Sequence, residues 1–119
     1  MAAPNIKSPT TITGKTARTT LATTSITSVL TNSAGSGKVL KINTIFTGNI
    51  SASSASISIS VYNGTSDTYI AYTISVPPNA TQIISSKETY FYLEEGDSIR
   101  ATAGTANAMS VIVGYEEFA

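Results

Sequence analysis

Alternation of aliphatic and hydroxyl side chains is the clearest pattern along the chain. In residues 55–62, ASISISVY, every second side chain is large and apolar and the side chains between them are serines. A period of two is typical of a β-strand with one buried and one wet face. The pattern returns in residues 68–76 and ends at two prolines, which cannot donate a ladder hydrogen bond. Both segments are therefore predicted strands.

Turn residues interrupt the rest of the chain about every ten positions, so the other strands are short. We predict them where β-branched and aromatic residues cluster: one or two strands within 19–31, then 38–47, 80–85, 89–93, 98–103 and 108–115. The apolar phase changes near Asn43, which indicates a β-bulge. About eight short strands predict an all-β fold, an antiparallel β-sandwich in jelly-roll or related Greek-key order.

The N-terminal segment differs from this pattern. It contains Pro4, Pro9 and Gly14 and almost no apolar residues, so it cannot bury enough surface to order itself alone. We expect an extended arm over residues 1–18 and one sandwich domain over 19–119, because 119 residues leave no room for a second core.

The inward positions of the predicted strands define the expected core. They are Leu40, Ile42, Ile57, Ile59, Val61, Ile70, Tyr72, Ile74, Ile99, Val111 and Val113. Near residue 90, Tyr90 and Tyr92 share a face opposite Phe91 and Leu93, so one pair is core and the other lies outside.

Neutral hydroxyl groups take the place of charge on this chain. Charged residues make up 12% of the sequence, and the formal net charge is zero. This excludes the basic footprint of a nucleic-acid-binding or membrane-surface protein, and it lowers the barrier to protein association. No signal peptide and no run of roughly 18 apolar residues is present. We expect a soluble protein made in a cytoplasm, with no nucleic-acid or membrane partner.

Catalytic residues are scarce. The chain has no His and no Cys, which excludes a Ser-His-Asp triad and a His- or thiolate-ligated metal. The carboxylates lie in predicted turns, strand ends or the C-terminal tail, where water keeps them ionised. They do not form the facing pair across a cleft that a glycosidase needs. We expect no enzymatic activity and no cofactor.

Two short motifs resemble ligand sites. Residues 35–38, GSGK, lack the first glycine and the hydroxyl of a phosphate-binding loop, and a predicted strand follows them where a helix is needed. Glu94, Glu95 and Asp97 offer oxygen ligands to a metal such as Ca²⁺, but a solvated turn with Gly96 at positive φ explains them better than a calcium loop does.

Several segments together resemble a known family. They are the arm motif Ile12-Thr13-Gly14-Lys15-Thr16, the serine-alternating strands, residues 92–103 (YLEEGDSIRATA) and the terminal Val113-Gly114-Tyr115-Glu116-Glu117. They look like small virion structural proteins of tailed bacteriophages, most like capsid decoration, or cement, proteins. The resemblance implies a cysteine-free β-sandwich without catalytic residues that sits on the outer head shell, often as a trimer.

A decoration protein binds itself and a shell at many equivalent places, so modest repeated interfaces suit it. We expect a homotrimer or other homo-oligomer on the capsid surface of the virion, in contact with the major capsid protein or another virion protein, and an arm that adds a strand to a neighbouring sheet edge. The expected interface residues are Ile6, Ile12, Lys15, Arg18, Tyr90, Tyr92 and Phe118. Two alternatives stay open: a phage neck, tail or fibre accessory domain, and a lectin-like carbohydrate-binding module that uses Tyr62, Tyr69 and Asp67.

Overall fold

The computed structural model describes residues 4–119, and the first three residues of the expected arm lie outside this range. The described residues form nine strands and a 3₁₀ turn at Lys87–Thr89. The strands are β1 (Ile12–Thr20), β2 (Thr27–Thr31), β3 (Val39–Asn49), β4 (Ala55–Tyr62), β5 (Asp67–Val76), β6 (Thr81–Ser85), β7 (Phe91–Leu93), β8 (Ser98–Ala103) and β9 (Met109–Phe118). The all-β prediction is confirmed.

The strands form two packed sheets. Their pairing is nested, which means that each outer strand pair encloses another pair along the chain. Sheet A has the order β1-β9-β3-β6, with β7 also paired to β3, and sheet B has the order β2-β8-β4-β5. Hence β4 pairs with β5, β3 with β6 and β7, β2 with β8, and β1 with β9, all antiparallel. This is the order of a jelly roll, in which one long hairpin wraps across two sheets. Residues 4–119 contain no helix long and apolar enough to cross a membrane.

The facing sides of the two sheets form the core, much as the alternation predicts. Seven of the assigned core residues are buried: Leu40, Ile42, Ile57, Ile59, Ile99, Val111 and Val113. Val61 and Ile74 are partly buried and pack against this cluster. The assignment of Ile70 and Tyr72 is wrong, since these side chains are 42% and 68% exposed.

Irregularities in β5 explain that error. Ile57 lies opposite Ile74, but Ile59 lies opposite Ala71, so β5 contributes one extra residue between the two pairs. Thr73 lies in this bulge with a φ of 48°. Because a bulge reverses the side-chain phase, the strand buries Ala71 and Val76.

The serine face of β4 is less wet than the alternation predicts. Ser58 and Ser60 are both buried. Ser60 Oγ donates to Asp67 Oδ1 at 2.8 Å, and Ser58 Oγ accepts from the backbone N–H of Thr73 at 2.8 Å. These side chains therefore tie the irregular edge strand β5 to β4.

The bulge predicted near Asn43 is confirmed. In the ladder between β3 and β9, Ile42 lies opposite Tyr115 and Thr44 lies opposite Gly114, so Asn43 is the extra residue. After the bulge, Ile45 is buried and Phe46 points away from the core.

Residues 12–18 of the expected arm are extended and lie in sheet A. The pairing of β1 with β9 runs from Ile12 opposite Phe118 to Thr20 opposite Ser110. The boundary that we placed after Arg18 therefore falls inside β1. Just before β1, the backbone N–H groups of Thr10 and Thr11 donate to the carbonyl oxygen of Ala119 at 2.7 and 3.1 Å.

A buried asparagine fixes the turn between β3 and β4. Asn49 is 2% exposed. Its Nδ2 donates to the carbonyl oxygens of Ser53 at 2.8 Å and Val76 at 2.9 Å, and its Oδ1 accepts from Ser51 N at 2.9 Å. One side chain thus joins the turn after β3 to the end of β5.

Candidate interaction surface

The acidic motif near residue 95 forms a turn. Gly96 has a φ of 88°, and Asp97 N donates to the carbonyl oxygen of Glu94 at 3.1 Å. Glu95 Oε2 accepts from the backbone N–H of Gly37 at 3.3 Å, which joins this turn to the loop before β3. Among residues 4–119, no group of three or more acidic, His or Cys side chains is placed to hold a metal ion.

The outer face of sheet A collects most of the expected interface residues. Directly paired residues of antiparallel strands share a face. The register joins Ile12 to Phe118 on β9, and Arg18 to Ile112, and it places Tyr92 beside Lys41, which pairs with Glu116. Ile12, Arg18, Tyr92 and Phe118 therefore belong to one surface.

The expected interface residues differ in accessibility. Ile12, Lys15 and Arg18 are exposed on β1, and Ile6 is exposed in the turn that precedes it. Phe118 is only 8% exposed, so little of its ring is available at the surface. Lys15 projects from the opposite face of β1 and forms an ion pair with Glu117 at 3.3 Å.

Tyr90 and Tyr92 form an aromatic cluster beside the same face. Their rings pack edge to face with centroids 6.0 Å apart. Lys41 Nζ lies 4.4 Å from the centre of the Tyr90 ring, which is a cation–π distance. The cluster presents two exposed amphipathic rings at the surface.

An apolar row across sheet A was not identified from the sequence. Ile112 on β9 lies opposite Phe46 on β3, and Phe46 lies opposite Ile83 on β6. Ile83 is 65% exposed. Gly114 keeps the neighbouring surface flat, since a Cβ at that position would lie 2.9 Å from Thr44 Oγ1. The apolar row thus consists of Ile112, Phe46 and Ile83, and Arg18 on β1 lies next to its first member. The three residues are far apart in the sequence, so only the strand register shows that they are neighbours.

The outer face of sheet B carries the residues of the carbohydrate-binding alternative. Arg100 donates to Asp67 through Nε at 3.1 Å and Nη2 at 2.7 Å, and its guanidinium lies 3.9 Å from the centre of the Tyr62 ring. Tyr69 and Tyr72 pack edge to face beside this cluster, with centroids 4.9 Å apart. The aromatic rings offer stacking surface, but the charged groups bind each other.

A cleft opens between the two sheets at the side formed by β5 and β6. It has a volume of about 310 Å³ and is lined by Val61, Ile70, Ile84, Ser85, Thr89 and Phe91. The hydroxyl groups of Ser85 and Thr89 are hydrogen-bonded to each other, with Ser85 Oγ 3.0 Å from Thr89 Oγ1. The lining of the cleft is thus mainly apolar.

Comparison with known proteins identifies related folds. No protein-family model matches the sequence, and no curated protein matches it significantly. The fold is similar to that of a protein from Bacillus endospore appendages, which form disulfide-linked pili, with 12% identity and a TM-score of 0.53 over 91% of this chain and 88% of that one. This likeness supports the sandwich fold.

Two structures of a pentameric capsid protein from metagenomic phage sequences also align with the chain. Their identities are 18% and 16%, with TM-scores of 0.40 and 0.42 over 87% and 85% of this chain. This chain spans 59% and 60% of the length of those capsid chains.

Proposed function

We propose that this protein is a non-enzymatic virion structural protein, a capsid decoration protein that binds the outer head shell as a homotrimer or other homo-oligomer. The observation that carries the proposal is the apolar row of Ile112, Phe46 and Ile83 on the outer face of sheet A. Ile83 is 65% exposed, and Phe46 and Ile112 are half-buried. An apolar row that reaches the surface in this way is a candidate for protein contact, because contiguous apolar area in contact with water is costly.

The chemistry of this face suits attachment to a shell. Aromatic and aliphatic side chains supply the central contacts of protein interfaces, and charged groups are depleted there. The face also brings together Ile12, Arg18 and Tyr92, which are among the interface residues expected from the sequence. The major capsid protein is the partner that a decoration protein would cover.

A matched pair of variants tests the proposal. Ile83 and Tyr72 are 65% and 68% exposed, and Tyr72 lies on β5 of the other sheet. We expect Ile83→Ser to weaken binding to purified shells from the parent particle at least tenfold, and Tyr72→Ser to change it less than twofold. Binding can be measured by co-sedimentation over a concentration series. The absence of saturable binding by the unsubstituted chain would refute the proposal.

Two other functions predict different results. A neck, tail or fibre accessory domain would bind a vertex or tail instead of the shell lattice, which electron microscopy of the parent particle distinguishes. A carbohydrate-binding module would lose glycan binding in Tyr69→Ala and Tyr62→Ala variants, since these rings lie on the outer face of sheet B with Asp67.

A further inference from the structure

The first strand is held in the sandwich mainly by its backbone, and its polar side-chain contacts, Lys15 with Glu117 and Thr20 with Ser110, are also made to β9. Seven of the nine β1 residues are exposed and none is buried. Ala17 packs against the edge of the core cluster, and the ladder with β9 runs through all nine positions without a register shift. Backbone hydrogen bonds do not depend on which copy supplies the strand, so the same ladder can form with β1 of another chain.

The nested topology also leaves β1 free to separate. β1 is an edge strand whose ladder partner is β9, so its departure breaks no other strand pair. Leu21 follows it and is 1% exposed. The backbone N–H of Leu21 donates to Met109 at 2.9 Å, and its carbonyl oxygen accepts from Asn107 N at 2.8 Å. The chain is therefore anchored immediately after β1, which places a hinge between Thr20 and Leu21.

We propose that β1 is exchanged between copies of this chain, so that β1 of one copy pairs in the same register with β9 of a second copy. The exchange replaces each backbone hydrogen bond by an identical one, so its cost in free energy is low. Residues 10–20 span about 35 Å when extended from the hinge. This length exceeds the 27 Å second dimension of the molecule, so a released β1 extends beyond its own sandwich and reaches a neighbouring copy.

Concentration decides between the two arrangements. A tethered β1 has a high effective concentration at its own β9, so exchange increases where copies are crowded, as on a repeating surface. The inference rests on the proposed self-association of the chain, but it does not depend on attachment to a shell.

Engineered cysteines in the full chain test the exchange, because the natural sequence has no Cys. Thr20 Oγ1 and Ser110 Oγ lie 3.3 Å apart across the ladder, so a disulfide at these positions reports that β1 and β9 are paired. A Thr20→Cys chain and a Ser110→Cys chain are mixed at about millimolar concentration, oxidised mildly, and analysed by mass. Circular dichroism and melting first establish that each variant is folded.

A control pair separates exchange from random collision. Thr16 lies on the same face of β1, but it pairs with Gly114, which is four residues and about 13 Å along β9 from Ser110. We expect at least ten times more heterodimer from Thr20→Cys with Ser110→Cys than from Thr16→Cys with Ser110→Cys. Equal yields would overturn the exchange.

A double variant separates exchange from simple edge pairing, in which the outer edge of β1 binds another chain while β1 stays in place. Thr13→Cys combined with Glu117→Cys in one chain joins a directly opposite pair at the end of the ladder far from the hinge, so oxidation at high dilution locks β1 onto its own β9. We expect the locked form to self-associate at least tenfold more weakly than its reduced form. Undiminished association of the locked form would show edge pairing and overturn the exchange. Shell binding is measured on the same samples, so a failure of the decoration role appears separately.

Discussion

Single polar side chains determine how well the loops of this sandwich are fixed. Asn49 makes hydrogen bonds with both its amide nitrogen and its amide oxygen inside the protein. A buried polar group stabilises a protein only when its hydrogen-bond partners are present, and removing the group leaves those partners unpaired. Asparagine at this position therefore acts as a fixed joint between the turn after β3 and the end of β5.

Replacing this asparagine tests that role. We expect Asn49→Ala to lower the free energy of unfolding by about 2–4 kcal/mol, because the substitution removes a buried side chain and its hydrogen bond to the buried carbonyl oxygen of Val76. Urea unfolding monitored by circular dichroism measures the change. Asn5→Ala is a suitable control because Asn5 is exposed, and we expect it to change the free energy by less than about 0.5 kcal/mol. Equal effects would contradict the assigned role.

At the level of strands, one arginine links two elements that are not neighbours. In sheet B, β4 lies between β8 and β5. Arg100 on β8 reaches over Tyr62 of β4 and donates from Nε and Nη2 to the two carboxylate oxygens of Asp67 on β5. The Arg100 and Asp67 side chains are 22% and 17% exposed, so water screens the pair only in part.

The edge strand β5 should loosen when this link is lost. We expect Arg100→Met, which keeps the aliphatic stem but removes the charge, to speed amide hydrogen exchange in β5 about tenfold, equivalent to about 1.4 kcal/mol of local stability. Exchange in β9 should change little. Arg18→Met on the exposed strand β1 is the matched control and should leave β5 unaffected. Uniform acceleration in every strand would indicate a global effect instead.

The strands were predictable where burial dictates the pattern and were missed where pairing alone creates them. The alternation in 55–62 predicts β4 with its observed bounds, since one face must enter the core. β1 has no such signal, because nearly all of its side chains are exposed and only the β9 ladder makes it a strand. Ile70 and Tyr72 were assigned to the wrong face because the bulge at Thr73 depends on the partner strand.

The candidate surface was likewise predictable only where its residues lie within one strand. Spacing alone placed Tyr90 and Tyr92 on one face, opposite Phe91 and Leu93, but it left open which pair is core. Phe46, Ile83 and Ile112 were not, because they lie on three strands and only the register aligns them. Sequence alternation assigns a face within one strand, but it does not say which strands are neighbours.

For the whole molecule, the neutral surface determines how association responds to salt. The outer face of sheet A has a central apolar row, and its charged residues Arg18, Lys41 and Glu116 carry both signs, so we expect salt to weaken only a small part of the attachment. We expect the shell dissociation constant to change less than about threefold between roughly 0.05 and 0.5 M sodium chloride, and sulfate to tighten binding by favouring apolar burial. Equilibrium sedimentation with shells at several salt concentrations measures this. A loss of affinity of more than about tenfold would indicate charge-steered attachment.

The pairing of β1 with β9 also brings the segment just before β1 beside residue 119. Thr11 and Ala119 are joined by backbone hydrogen bonds at one end of the sandwich, and the loop at residues 63–66 between β4 and β5 is fully exposed. A short peptide bridge from residue 119 to residue 10, with new termini at Gly64, should give a circular permutant with the same jelly roll. In such a molecule the first strand would be fastened at both ends.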